Sequence, residues 1–171
     1  MPTKKTLILN KEQIRQKSRR IAYQILEDNF EEKSIVLVGI ADRGYVFATR
    51  LQQILQELAK DKEIELIKVS IQKNKRNLEA ETDQAVEIAR NKAVIVIDDV
   101  LNSGRTLAYA LGAFMDVPLK KMRTAVLVDR SHHLFPIFSD FYGVKLSTIL
   151  KEHVEVCLEE LDKNEDAAWL R

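Results

Sequence analysis

Val94-Ile95-Val96-Ile97-Asp98-Asp99-Val100-Leu101-Asn102-Ser103-Gly104-Arg105-Thr106, residues 94–106, decides how the rest of the chain is read. The four β-branched residues at 94–97 predict a strand buried on both faces, as a parallel strand covered by helices would be. Two carboxylates stand where the strand ends, and a turn of small polar residues leads into a helical pattern over 107–115. In an open α/β sheet, ligands bind beyond the carboxyl ends of the strands. A helix N-terminus adds backbone N–H groups suited to an anion. Acids for hydroxyls or a metal, beside a phosphate cradle, point to a phosphorylated sugar as ligand.

The same strand, turn and helix order recurs on either side. Residues 35–40 predict a second buried strand, followed by Ala41, Asp42, Arg43 and Gly44 and a helix over 45–58. Gly44 permits close approach of the backbone to a ligand, and Arg43 offers a planar fork for phosphate. By themselves these two residues are ordinary turn chemistry. A third strand over 64–71 runs into the polar segment 72–82, which carries Lys73, Lys75 and Arg76. That segment reads equally as a solvated hairpin or as a lid whose cations meet an anionic substrate. Residues 124–128 predict a further strand ending in Asp129, Arg130, Ser131, His132 and His133. With no other His or Cys at ligand spacing nearby, a structural zinc site is disfavoured. Phe135, Phe138, Phe141 and Tyr142 are dense enough to suggest core rather than a ligand platform.

Near the start, a short apolar run at 7–9 precedes Asn10, a good N-cap with Gln13 at the reciprocal capping position. The helix predicted over 11–29 gathers Ile14, Ser18, Ile21, Ala22, Ile25 and Leu26 on one face. Arg15, Lys17, Arg19 and Arg20 lie towards its outside, a solvated face with a phosphate-binding patch as the alternative. Residues 154–158 predict a last strand and 159–171 a short closing helix, with Trp169 as a hydrophobic anchor. A chain of 171 residues with 46% hydrophobic content can bury a full core, so one domain over 1–171 is expected. A net charge of +1 argues against indiscriminate polyanion binding. Cys157, alone in an apolar run, reads as a buried structural thiol. No stretch approaches the length of a membrane span and no secretory signal is visible, so a cytoplasmic protein without membrane contact is expected.

A hydrophobic strand, two acids, two further residues and a small polar-Ser-Gly-Arg-Thr loop resemble the signature of type I phosphoribosyltransferases. Within that superfamily the chain resembles the bifunctional pyrimidine-operon attenuator/uracil phosphoribosyltransferase family. The likeness runs through Val38-Gly39-Ile40 with Arg43-Gly44, through residues 98–106, through Val126-Leu127-Val128-Asp129-Arg130 with His132, and through Pro136-Ile137, Asp140 and Gly143. It implies an α/β fold with a central, mainly parallel twisted sheet flanked by helices and a small hood. It further implies magnesium-dependent transfer of a phosphoribosyl group from phosphoribosyl diphosphate (PRPP) to a nucleobase, uracil first, in pyrimidine salvage.

Carried over by position, the resemblance has Asp98 and Asp99 hold the ribose hydroxyls. Residues Val100, Leu101, Asn102, Ser103, Gly104, Arg105 and Thr106 complete the phosphate side. Ala41, Asp42, Arg43 and Gly44 would contact pyrophosphate, with Asp98, Asp99 and Arg43 as the catalytic set. Asp129, Arg130, Ile137, Phe141 and Tyr142 would surround the base, Phe141 as a stacking surface, and Lys73, Lys75 and Arg76 would serve the lid. Mg2+ would be held mainly through substrate, near Asp98 and Asp99. RNA is the implied alternative partner, through the basic face at Arg15, Arg19 and Arg20, and a homodimer or higher assembly is implied.

Several positions depart from the family pattern. Ala41-Asp42 replaces Lys/Arg-Thr, residues 131–134 stand where Gly-His-Arg-Glu is usual, and Phe138 replaces an arginine. Residues 72–88 are shorter than the usual lid and lack its Tyr-Arg-Asp-Asp. A dinucleotide-binding domain is disfavoured because no G-x-G-x-x-G opens the first turn.

Overall fold

The computed structural model describes residues 5–73, 78–149 and 151–171. Six strands form the main sheet: β2 (Ser34–Ile40), β3 (Glu63–Lys73), β4 (Leu78–Thr82), β5 (Ala93–Leu101), β6 (Lys121–Asp129) and β7 (Phe141–Lys145). Their order is β4-β3-β2-β5-β6-β7, parallel throughout except for the antiparallel edge strand β4. β5 lies at the centre, and residues 93–97 are wholly buried, as its unbroken apolar run demands. Helices α1 (Lys11–Asp28) and α2 (Arg43–Leu58) cover one face, over a core that includes Ile21, Leu37, Phe47, Ile95 and Leu127. The short α3 (Arg105–Gly112) covers the other, over Val38, Val96, Leu107, Phe114 and Val126.

The start of α1 follows local chemistry. Asn10 Oδ1 accepts from the Gln13 amide and Gln13 Oε1 accepts from the Asn10 amide, both at 2.9 Å, closing a reciprocal cap. Ile14, Ser18, Ile21, Ala22 and Ile25 form its buried face.

The end of the chain departs from expectation. Residues 159–171 do not close as a helix; they end in a strand, β9 (Ala167–Leu170), between β1 (Thr6–Leu9) and β8 (Val154–Cys157) in a second, antiparallel sheet. Two short strands with unpaired edges need a partner, and that tertiary demand overrides the helical preference of Ala167 and Ala168. Leu9, Val156, Leu158 and Ala168 of this sheet enter the core under α1 and α2. Trp169 is only half-buried, and so is Cys157. Burial, with Glu155 and Asp162 nearby, pushes the Cys157 thiol above its usual pKa.

On either side of residues 74–77, β4 pairs antiparallel with β3 from Val69 opposite Thr82 to Lys73 opposite Leu78. Lys75 and Arg76 fall outside the described residues. Among the described residues no helix is long and apolar enough to cross a membrane.

Candidate active site

The carboxyl ends of β2, β5, β6 and β7 meet at one edge of the sheet, so the turns that leave them are neighbours. The turn after β5 forms a cavity of about 110 Å³ lined by residues 98–107. Gly104 is its pivot. With φ of +85° it takes the left-handed conformation that starts α3, and an added Cβ would also meet Ile137 Cβ at 3.1 Å. Arg105 donates its amide to Ser103 Oγ at 3.3 Å, while the Ser103 carbonyl accepts from the Leu134 and Phe135 amides at 2.9 and 3.0 Å. The segment after β6 therefore buttresses the cradle, and Ile137 belongs to that buttress. Val100 and Leu101 are buried by their side chains and offer main chain only.

Asp98 and Asp99 stand at the mouth. The Asp99 amide donates to Asp98 Oδ1 at 2.9 Å. Burial, then the charge of Asp99, pushes the Asp98 carboxyl well above the usual carboxylate range. The turn after β2 reaches this pair directly. At Gly44 a Cβ would lie 2.8 Å from both Asp98 Oδ1 and the Ile97 carbonyl oxygen, so only glycine lets the turn press onto β5. The Ala41–Asp42 peptide is cis, and the Ala41 amide donates to the Val69 carbonyl at 2.8 Å. Asp42 is exposed and makes no side-chain cap to α2.

Arg43 does not face this mouth. Its Nε donates to the Val156 carbonyl at 2.8 Å and its Nη2 to Asp162 Oδ1 at 2.7 Å. The C-terminal lobe supplies a carboxylate within reach, and the guanidinium is engaged there instead of pointing at a pyrophosphate site. Arg43 here links the turn to the C-terminal end of the chain.

The base side also differs from expectation. Asp129 is fully buried and takes bonds from Ser139 Oγ, from the Ser131 amide at 2.8 Å and from His133 Nε2 at 2.9 Å. Burial alone would raise its pKa, but the bonds from Ser139, Ser131 and His133 outweigh it and hold the carboxyl below the usual range. Asp129 thus clamps the loop after β6. Asp129→Ala should cost roughly 2–3 kcal/mol, because it strands buried donors. A depressed pKa contributes stability above the unfolded value and loses it as acid protonates the folded carboxyl. The deficit should therefore shrink below about pH 4, as urea titrations at pH 3 and pH 7 would show.

Phe141 and Tyr142 pair with Ala125 and Val126, in the middle of β6, whereas the site edge is at Asp129 opposite Lys145. β7 enters the sheet with its aromatics first, so they sit several residues short of its carboxyl end. Phe141 is 8% exposed and packs in the core under α1. Tyr142 stacks under the Lys145 ammonium at 4.4 Å, and its carbonyl accepts from Arg20. Neither lines the cavities after β5 and β6. What reaches the site edge is the segment after β7: His132 Nε2 contacts the Thr148 carbonyl, and Arg130 Nε donates to Thr148 Oγ1 at 3.1 Å. Thr148 and Glu152 escape a sequence reading; the signal that finds them is the rule that ligands lie past strand ends, applied to β7. Between the turns after β5 and β6 opens a second cavity of about 330 Å³, lined by Asn102, Ser103 and residues 130–134.

Two of the bases on α1 are likewise engaged: Arg15 bonds Glu12 at 2.6 and 2.8 Å, and Arg20 bonds the Tyr142 and Gly143 carbonyls. Among the described residues, no group of three His, Cys, Asp or Glu side chains could hold a metal ion. Asp98 and Asp99 supply at most two carboxylates, and these suit a hard cation that draws its remaining oxygens from a bound ligand.

A small cradle after the central strand, paired acids at its mouth and a glycine turn pressed against them lie together at the edge of the sheet. Residues 6–161 match the family described as phosphoribosyl transferase domain. The chain belongs to the phosphoribosyltransferase family. Within it, the chain is similar to the Bifunctional protein PyrR of Fusobacterium nucleatum, 34% identical over 99% of this chain and all of that one. The Bifunctional protein PyrR of Bacillus cereus is 37% identical over 94% of each chain. Solved structures share the fold. A hypoxanthine-guanine phosphoribosyltransferase from Bacillus anthracis aligns over 95% of both chains with a TM-score of 0.75 at 22% identity. The Trypanosoma cruzi hypoxanthine phosphoribosyltransferase complexed with IMP aligns over 98% of this chain and 90% of that one, with a TM-score of 0.79 at 16% identity.

Proposed function

We propose that this protein transfers the 5-phosphoribosyl group of PRPP to a nucleobase, with uracil as the leading acceptor and Mg2+ as the required cation. The observation that carries the reading is the meeting of Gly44 with Asp98 at the mouth of the 98–107 cradle. It brings the turn after β2, the two acids and the 98–107 loop side by side, which supports the reading. Asn102, Ser103, Gly104, Arg105 and Thr106 would take the 5-phosphate through main-chain amides and hydroxyls. Asp98 and Asp99 would orient the ribose hydroxyls and favour positive charge developing on the sugar. The amides of Asp42 and Gly44 would face the leaving group. Mg2+ would supply charge neutralisation on the pyrophosphate oxygens. Lys73, at the end of β3, keeps the hairpin in the reading as a cover against water.

RNA binding draws less support, because Arg15 and Arg20 are held by Glu12 and by the β7 carbonyls. A homodimer or larger assembly completes the reading, with light scattering as its check.

Calorimetry with PRPP and PRPP-consumption assays over uracil, hypoxanthine, guanine, adenine and cytosine test the proposal. Binding in the presence of Mg2+, loss of turnover on chelation, recovery on adding Mg2+ back, and highest turnover with uracil are expected. Absence of PRPP binding with Mg2+ present would overturn it.

A further inference from the structure

Lys68 stands on the side of the turn after β2 that lies away from Asp98. Its direction follows from the alternation of β3. Ile64 and Leu66 belong to the core under α1 and α2, so Lys68, at the next even position, points to the same face of the sheet. β3 pairs with β2 in parallel register, which sets Lys68 beside Gly39, just before the turn. The bare Gly39 lets the first turn of α2 close onto the sheet, since a Cβ there would lie 2.6 Å from Tyr45 Cα. Tyr45 is thereby brought within reach of β3, and the Lys68 ammonium rests on its ring, 5.2 Å from the centroid.

The charge of this half-buried ammonium is not cancelled. Among the described residues it forms no ion pair, and the acid beside it is bound to its main chain instead. Asp83 Oδ1 accepts the Lys68 amide at 2.8 Å, and the Asp83 amide donates to the Lys68 carbonyl at 3.0 Å. With the bond from the Ala41 amide to the Val69 carbonyl, these contacts hold β3 and the turn in one frame. An aromatic face orients a cation without neutralising it. The turn itself presents no comparable charge: Arg43 donates to Val156 and Asp162, Ala41 is apolar, and Asp42 is an exposed acid.

We propose that Lys68 binds the pyrophosphate moiety of PRPP, meeting its outer phosphate across the turn after β2. The inference rests on the phosphoribosyl-transfer reading and adds to it a residue from a strand that no motif marks. The strand order β3-β2-β5 puts the turn between Lys68 on one side and Asp98 and Asp99 on the other. With the sugar at the acids and the leaving group over the turn, Lys68 meets the end of pyrophosphate remote from the ribose. Neighbouring strands are about 4.8 Å apart, a gap that the four-carbon stem of lysine spans. As the C1–O bond breaks, its electron pair leaves on pyrophosphate. The ammonium keeps its proton throughout and attracts the added charge, which Asp42 alone would repel. Moving from the ring to a phosphate oxygen breaks no ion pair.

Calorimetric titration of the full chain with PRPP, inorganic pyrophosphate and ribose 5-phosphate, each with Mg2+, tests this role. Lys68→Met keeps the apolar stem and removes the charge. It should weaken PRPP and pyrophosphate binding about tenfold and leave ribose 5-phosphate binding within about twofold of the parent. Lys68→Arg should recover most of the loss. Tyr45→Leu, which keeps the cation but removes its rest, should cost about two- to fivefold on the same two ligands. The difference between parent and Lys68→Met should narrow as salt rises. A merely structural role would weaken all three ligands alike and lower the melting temperature; that pattern overturns the inference. If Lys68→Met binds and consumes PRPP as the parent does, the inference fails and the transfer reading stands. If pyrophosphate binds through Lys68 while PRPP is neither bound nor consumed, the anion subsite stands and the transfer reading fails. A parent protein that binds neither PRPP nor pyrophosphate overturns both.

Discussion

Asp98→Asn should unfold at a higher temperature than the parent protein at pH 7, while consuming PRPP about 10²-fold or more slowly. Both effects follow from one carboxyl. Burial and the neighbouring Asp99 raise its pKa in the folded state. A group with a raised folded pKa contributes its full stability below the unfolded value, near pH 4, and loses it as pH rises through the folded value. Above that window the protein holds a carboxylate, or a forced proton, in a place that disfavours charge. Asparagine keeps an oxygen to accept the Asp99 amide and has no proton to lose. The gain should therefore be absent in melts near pH 3 and grow as pH rises above about 4. The lost turnover is what the proposed role of the Asp98 carboxylate beside the sugar requires. A variant no more stable than the parent at any pH would remove the basis of this argument.

Gly44→Ala is the second large effect. The new methyl would meet the Ile97 carbonyl oxygen at 2.8 Å and Asp98 Cα at 2.9 Å, both main-chain atoms of the central strand. Neither yields by a rotamer change, so the turn after β2 must lift away from β5. Overpacking of this kind costs about 1–3 kcal/mol. The larger consequence is for the site, since the turn and the acids at the mouth would no longer be held in contact. A drop of at least tenfold in PRPP affinity is expected, together with a lower melting temperature. Gly112→Ala is the matched control. Nothing lies within 4 Å of its added Cβ, and alanine there should stabilise the end of α3 by about 0.5–1 kcal/mol. Equal behaviour of the two variants would show that the Gly44 contact is not what shapes the site.

The buried strands were legible because a parallel sheet leaves its central members no polar face, and β2, β5 and β6 carry that pattern. The Asn10 and Gln13 cap was legible because it is closed within four residues. Gly104 was legible as a turn residue, although its left-handed φ and its contact with Ile137 were not. Long-range partners defeated the reading elsewhere. Nothing near Arg43 indicates that its guanidinium will find Val156 and Asp162, more than a hundred residues on. Alanines near the C-terminus favour a helix locally, and only the waiting edges of β1 and β8 make them a strand. The resemblance put Phe141 and Tyr142 beside the base, and their position in the sheet depends on where β7 joins β6, which is a matter of register.

Arg43 and Arg50 lie two turns apart on α2 and grip the same acidic stretch of the C-terminal lobe, the first through Asp162 and the second through Glu160 and Asp166. The two clasps differ in their access to electrolyte. The Arg43 side chain is 40% exposed, whereas that of Arg50 is 18% exposed and bonds a nearly buried Asp166. Mobile ions screen exposed pairs far more than sheltered ones. Ionic strength thus works on this molecule as a graded key: it slackens the outer clasp, next to the turn after β2, while the inner one still fastens the lobe to the helix.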